Sequence, residues 1–295
     1  MSEDRIVRIA NGQGFWGDSI LGPVRLVEEG PIDYLTLDYL AEVTMSIMQK
    51  LRMRDPNAGY ATDFVEMLRR ILPQCQENGI KVIANAGGVN PQGCRDAIQQ
   101  VVKDLGLTGI KVGVVEGDDI LDRLPELIES GEALKNLDNG APVQNILDRV
   151  MSANVYIGAK PIADALAQGA DIVVTGRATD PSVVLAPLIH EFGWSMEDYD
   201  RLAAGTVMGH ILECGPQCTG GNYVGWRQVK DFARIGYPVV EAKADGSFVV
   251  TKHEGTGGLV NIETITSQLL YEIGDPQRDL GPDCTADITR LQLDS

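Results

Sequence analysis

The chain has 295 residues and a formal net charge of −17, from 42 acidic and 25 basic side chains. That balance argues against a nucleic-acid backbone or an anionic membrane as partner, because both need clustered lysine and arginine. A small anionic ligand stays admissible, since one arginine or a helix N-terminus can hold it, and the length suits one large domain or a domain and a half.

The opening residues, MSEDRIVRIA, are acidic and lack the basic and long apolar regions of a secretory signal. No apolar run approaches the roughly 18 residues of a transmembrane helix. Five scattered cysteines read as reduced thiols. A soluble cytoplasmic protein is the expectation.

In chain order, short runs rich in Val and Ile predict strands at Ile6–Ala10, Tyr34–Leu40, Ile80–Ala86, Ile110–Glu116, Val155–Gly158 and Asp171–Gly176. They are near-continuous rather than alternating, as for strands covered on both faces. Between them, Asn90-Pro91 marks a helix start, Ile98, Val101, Val102 and Leu105 form its inner face, and Gly106 stops it. Asp118 or Asp119 caps a helix with Ile120, Leu121, Leu124, Leu127 and Ile128 inward, and Asp180-Pro181 repeats the start signal after the last strand. Alternating strands and helices imply parallel pairing through right-handed crossovers. The predicted fold is α/β, a mostly parallel, doubly wound sheet with helices on both faces; an irregular barrel is the alternative.

Beyond residue 215 the texture changes, so residues 1–215 are assigned to the α/β domain and 216–295 to a smaller α+β segment packed on it. A hairpin turning at Asp245-Gly246 is predicted there. A helix follows with Ile262, Ile265, Leu269 and Ile273 on one face, ended by Gly274 and Pro276. The last residues, TADITRLQL, resemble another strand, and an ending without a polar tail suggests a shortened chain.

Gly12-Gln-Gly14-Phe-Trp-Gly17 has the G-x-G-x-x-G spelling of a dinucleotide turn, with Asp38 about 20 residues on, where a ribose-binding acid would sit. Three features oppose it. Asp18 stands where the pyrophosphate would lie, Phe15 and Trp16 bring bulk beside it, and Gly22-Pro23 interrupts the following helix. A substrate loop with Asp18 facing the site is preferred, and a purely structural turn is the alternative.

In an open parallel sheet, ligands bind beyond the carboxyl ends of the strands. Those ends carry Asn11 and Gly14, then Asp38 and Glu42, then Asn85, Gly87, Gly88 and Asn90, then Glu116, Asp118 and Asp119, and finally Thr175, Arg177 and Asp180. Arg177 suits a carboxylate or phosphate. Crowded carboxylates raise each other's pKa, which suits acid–base work, and a divalent cation is a second option. Taken singly, these residues also fit caps and turns.

Later features carry less. His210, Cys214 and Cys218 have a ligand-like spacing, but Gly215-Pro216 breaks any shared helix, so no metal site is assigned. Gly257 and Gly258 precede a helix, and their N–H groups could hold an anion.

IANGQGFWGDS, DYLTLDYLAEVTMS, IKVIANAGGVNPQGC, GADIVVTGRATDPSVVLAPLIHEFGW, LAAGTVMGHILECGPQCTGGNY and FVVTKHEGTGGLVNIETITSQLLYEIGDP together resemble the acyclic terpene utilisation family over almost the whole chain. The resemblance implies a cytosolic catabolic protein acting beside acyl-CoA carboxylases on branched terpenoid or similar acids. It supplies no catalytic residues.

The expected activity is therefore lyase, hydratase or hydrolase chemistry on an acyl-CoA or free acid. Asp18, Asp38 or Glu42 would act as acid or base and Asn85 would polarise a carbonyl. Asn11, Gly14, Gly87, Gly88, Arg177, Asp180, Gly257 and Gly258 would bind a small anionic substrate, a CoA thioester among the candidates. No cofactor is assigned, and homo-oligomerisation is left open. The alternatives are an NAD(P)-dependent oxidoreductase and a non-catalytic partner subunit of an acyl-CoA carboxylase.

Overall fold

Near-continuous apolar strands need cover on both faces, and they receive it. A computed structural model describes residues 5–294. Its main sheet has seven strands: β1 (Ile6–Asn11), β2 (Tyr34–Leu37), β3 (Lys81–Ala84), β4 (Val112–Val115), β5 (Ile172–Thr175), β6 (Pro238–Lys243) and β7 (Phe248–Lys252). They lie in the order β4-β5-β3-β2-β1-β6-β7. The first five strands run parallel, and β6 and β7 add as an antiparallel hairpin beside β1. Both edges of this sheet stay apart, so it is an open α/β sheet and not the barrel considered as an alternative.

Successive residues of each strand feed opposite cores. Leu35, Leu37, Val82, Ala84, Ile172 and Val174 pack beneath helices α1 (Leu21–Glu29), α3 (Thr62–Asn78) and α4 (Pro91–Asp104). Tyr34, Ile83 and Val173 face α6 (Lys160–Ala167), α7 (Ser182–Phe192) and α8 (Tyr199–Leu212). A helix α2 (Glu42–Arg54) follows β2, and α9 (Ile262–Glu272) packs its Ile265 and Leu269 with Val207 and Ile211 of α8.

The predicted cap at Asn90 forms, its side chain accepting from Gly93 N at 3.1 Å. The hairpin turns where expected, with Gly246 at φ +91° and Ser247 donating to the Asp245 carboxylate. Because β6 pairs with β1 from Ile6–Lys243 to Ala10–Val239, the main sheet continues across the boundary expected near residue 215.

Several local expectations differ. Gly22-Pro23 does not interrupt α1; the helix starts at Leu21, so Pro23 sits in the first turn, where its missing N–H is harmless. The expected helix after Asp119 is one short turn followed by α5 (Leu124–Glu129), and of its five predicted inward residues only Leu124 is buried. Val155–Gly158 is not a strand. It crosses the strand-end loops, with one bridge from Ile157 to Ala178 and Val155 N donating to Asp118 O at 2.8 Å. The terminal TADITRLQL contributes only β9 (Thr285–Ala286), paired with β8 (Asp279–Leu280).

Tight packing at the strand ends makes one prediction. Gly87 N donates to Thr175 O at 3.0 Å, and a Cβ on Gly87 would lie 2.5 Å from that same carbonyl. Backbone cannot swing aside as a side-chain tip can, so Gly87→Ala should cost about 1–3 kcal/mol by overpacking. Urea unfolding measures it; an unchanged midpoint would show that the β3–β5 end tolerates spreading.

Candidate functional site at the carboxyl ends of the parallel strands

The loops leaving β2 and β5 and the end of α8 meet above the sheet. Asp38 follows β2 and is 4 % exposed. Its Oδ1 accepts from Asn85 Nδ2 at 2.6 Å and from Leu40 N at 3.1 Å, while Asn85 Oδ1 accepts from Tyr39 N at 2.7 Å. Asn85 thus holds Asp38 through one amide N–H and the Tyr39 backbone through its oxygen.

Arg177 follows β5 and is also buried. Its Nη1 donates to Leu40 O at 2.6 Å and to Asp180 Oδ1 at 3.0 Å, and its guanidinium carbon lies 4.5 Å from the centroid of the Tyr156 ring. Tyr156 in turn donates to Glu42, which stands largely exposed 3.8 Å from Arg177 Nη2. The segment predicted as the fifth strand therefore supplies an aromatic cover for the arginine. Asp180 does not cap α7. Its carboxylate turns back to Arg177, and no side chain caps α7 at its start.

The residue that sequence reasoning missed is Glu213, at the end of α8. One oxygen from each of Asp38, Asp180 and Glu213 lies within 4.8 Å of the others. A second group, Glu213, Cys214 and Glu272, meets the same criterion and shares Glu213 with the first. Cys214 Sγ donates to Glu213 Oε2 at 2.8 Å and to Glu272 Oε1 at 3.3 Å. These are the groups whose donor atoms could ligate a divalent cation, with oxygen ligands throughout the first set.

Burial and mutual repulsion shape the protonation states. Burial, then the Asp180 charge, pushes the Asp38 carboxyl up to about 7, although Asn85, Arg177 and the Leu40 N–H oppose the rise. Burial, then Asp38, Glu272 and Asp180, pushes Glu213 up to about 10. Around neutral pH the centre thus pairs a carboxyl near its midpoint with one that keeps its proton. The Cys214 thiol is driven well above the usual range, first by burial and then by Glu213, so it is not a thiolate nucleophile. Burial disfavours the Arg177 charge, but Asp180 and Asp38 outweigh it and raise its pKa.

Other predicted residues lie apart from this cluster or serve it from behind. Asn11 Nδ2 donates to Leu212 O at 2.7 Å and Glu213 O at 2.6 Å, tying the end of α8 to β1. Gly14 N donates to Asp18 Oδ2 at 3.2 Å, and Asp18 Oδ1 accepts from Ser19 N at 2.6 Å and from the Tyr237 hydroxyl at 3.4 Å. Asp18 thus closes its own loop. A Cβ on Gly14 would meet the Cys214 carbonyl carbon at 2.9 Å, so this glycine lets the first loop approach the segment after Glu213. Gly88 adopts φ +55° in the β3 turn.

The Gly257 and Gly258 N–H groups are not free for an anion. They donate to Arg234 O and Ile235 O, both at 2.7 Å, and α9 begins only at Ile262 with Asn261 as its cap. His210, Cys214 and Cys218 do not converge either: His210 Nε2 pairs with Asp279 Oδ2 at 2.9 Å, and Cys218 is buried against Gly215 O.

Among the described residues, no helix is long and apolar enough to cross a membrane. No curated protein and no solved structure matches the chain. The family profile described as acyclic terpene utilisation family protein AtuA matches residues 7–295, essentially the whole sequence. The chain belongs to the acyclic terpene utilisation family.

Proposed function

We propose that the protein is a catabolic enzyme that moves a proton on a carboxylic acid or its CoA thioester, by lyase, hydratase or hydrolase chemistry. Membership in a family of acyclic terpene utilisation is consistent with a catabolic role. The observation that carries the reading is the convergence of Asp38, Asp180 and Glu213 over the buried Arg177 at the strand ends. Asp38, with its carboxyl at about 7, is poised as a general base at working pH, and Glu213, at about 10, as a general acid. Arg177 fixes Asp180, and its charge limits the repulsion among the three carboxyls. Glu42 and Tyr156 form the outer rim; the Tyr156 hydrogen bond holds the Glu42 carboxyl below the usual range, which suits contact with substrate rather than proton transfer.

Two features support acid–base chemistry over a nicotinamide-dependent reaction. The Gly14 N–H is occupied by the Asp18 carboxylate, and a Cβ on Gly12 would already lie 2.9 Å from Pro23. The glycine loop thus satisfies itself and packs closely instead of opening a pyrophosphate cradle.

The test is turnover of a panel of branched and unsaturated acids and their CoA thioesters in isotopically labelled water, read by mass spectrometry. Asp38→Asn and Glu213→Gln should each reduce label incorporation by about 10²-fold or more. If both variants turn over at the wild-type rate, the carboxyl pair is not the acid–base centre.

A further inference from the structure

A concavity lies beside the first loop, between α1 and the segment entering β6. Its volume is about 210 Å³. Leu21, Leu26, Phe232 and Ile235 form apolar wall, while Arg25 and Tyr237 bring polar groups to it. Gly22 allows this arrangement, because a Cβ there would lie 2.5 Å from the Tyr237 ring.

The charges around the cavity differ in one respect. Arg234 is paired with Glu29 at 3.2 Å. Arg25 instead gives one N–H to the Ala233 carbonyl at 3.2 Å and, among the described residues, pairs with no carboxylate. A guanidinium has five N–H donors in a planar fork, so Arg25 keeps capacity for a two-point contact with an anion. What singles out Arg25 is its place in the wall of this cavity, where Glu29 is taken up by Arg234, which leaves the Arg25 guanidinium available to a ligand. The neighbouring rings do not compete for the anion as charges. Burial lowers the pKa of His253, leaving it neutral, and burial with the Asp18 charge keeps Tyr237 a phenol.

We propose that this cavity binds a small free carboxylate with a compact apolar body, the carboxylate on Arg25 and the body against Leu21, Leu26, Phe232 and Ile235. Size selects the ligand. An apolar cavity of about 150 Å³ holds benzene, whereas drug-sized ligands occupy about 300–1,000 Å³. The available 210 Å³ therefore encloses an acid of benzoate or 3-methylbutanoate size and excludes the body of coenzyme A. The site is distinct from the strand-end carboxyls, because neither Asp38, Asp180 nor Glu213 lines the cavity.

Isothermal titration of the full chain at pH 7.5 tests the assignment with 3-methylbutanoate, benzoate, their primary amides, inorganic phosphate and coenzyme A. The acids should bind, and the amides should bind about tenfold or more weakly, since each lacks the charge that Arg25 engages. Arg25→Gln should weaken the acids by about the same factor and leave the amides unchanged. Leu21→Trp, at an exposed rim position, should block acids and amides alike while the melting temperature is retained. The proposal is overturned if acid and amide bind equally, if phosphate or coenzyme A binds in place of the acids, or if Arg25→Gln binds the acids as the wild type does.

Discussion

Asp38→Asn and Glu213→Gln should each make the protein more stable at pH 8 than the wild type, while removing activity. The Asp38 carboxyl rises from 3.8 to about 7 and that of Glu213 from 4.5 to about 10 on folding. Both groups therefore bind their proton more tightly in the folded state. Their contribution to stability is fully present below the unfolded values near pH 4 and is lost as pH rises through the folded values, up to about pH 7 for Asp38 and about pH 10 for Glu213. The melting temperature of the wild type should accordingly fall between pH 5 and pH 9. An amide at either position mimics the protonated acid and has nothing to ionise. The gain at pH 8 should be on the order of 2–4 kcal/mol for Asp38→Asn, since each tenfold change in proton affinity is worth about 1.4 kcal/mol. In a domain of this size that is a rise of about 5–10 °C. Melts at pH 5, 7 and 9 measure it. A wild-type melting temperature that is flat over this range, or variants that melt below it at pH 8, would show that the carboxyls are not strained by their surroundings. Stability gained at the expense of activity is the pattern expected of groups held for chemistry.

How much of this was legible in the sequence depends on range. The strands β1, β2, β3, β4 and β5 were readable because each must feed two cores, which leaves a near-continuous apolar run, interrupted only singly, as by Arg8 in β1 and Thr36 in β2. The β6–β7 turn was readable because Asp245-Gly246 is a local signal. What was not readable is where elements pair. Val155–Gly158 has the composition of a strand, yet its partners are the Asp118 and Arg177 carbonyls on strand-end loops, and its use is to lay Tyr156 over Arg177. The helix expected after Asp119 had the right period but no core to face, and most of its apolar residues remain at least partly exposed.

The site divides in the same way. Asp38, Arg177 and Asp180 were legible because the ends of parallel strands are where an open sheet binds ligands. Asp180 was ambiguous, since an acid before Pro181 is also a cap signal; only the geometry shows its carboxylate on Arg177. Glu213 carried no such signal. It ends a helix between His210 and Cys214, and the spacing of those two residues drew attention to a metal motif that does not form. The available hint was Glu213 standing beside Cys214 before the helix-breaking Gly215-Pro216, which marks a helix end but not where that end points. Asn11 determines that, through its two hydrogen bonds to the α8 terminus from 201 and 202 residues away.

Arg177→Met should be the most damaging single change at the strand ends, and its cost should depend on pH. Arg177 is 6 % exposed, and its guanidinium holds the Leu40 carbonyl and the Asp180 carboxylate and is covered by Tyr156. Methionine fills much of the volume but leaves that carbonyl without its donor and leaves Asp38 and Asp180 without the cation between them. Breaking a buried pair by removing one partner typically costs about 3–5 kcal/mol. At pH 5 Asp38 carries its proton, so part of the repulsion is absent and the loss should be smaller. Arg177→Lys restores the charge but not the planar fork or the stacking, and should recover about half. The decisive arm is the double variant. In an Asp38→Asn background the cost of Arg177→Met at pH 8 should fall by about 1–2 kcal/mol, a coupling within the range measured for contacting charged groups. Equal costs in both backgrounds would mean that Arg177 acts by packing and by the Leu40 carbonyl alone. A cost that shrinks with Asp38→Asn and with acid alike would show that its charge holds the carboxyls together, which an acid–base centre built from crowded carboxylates requires.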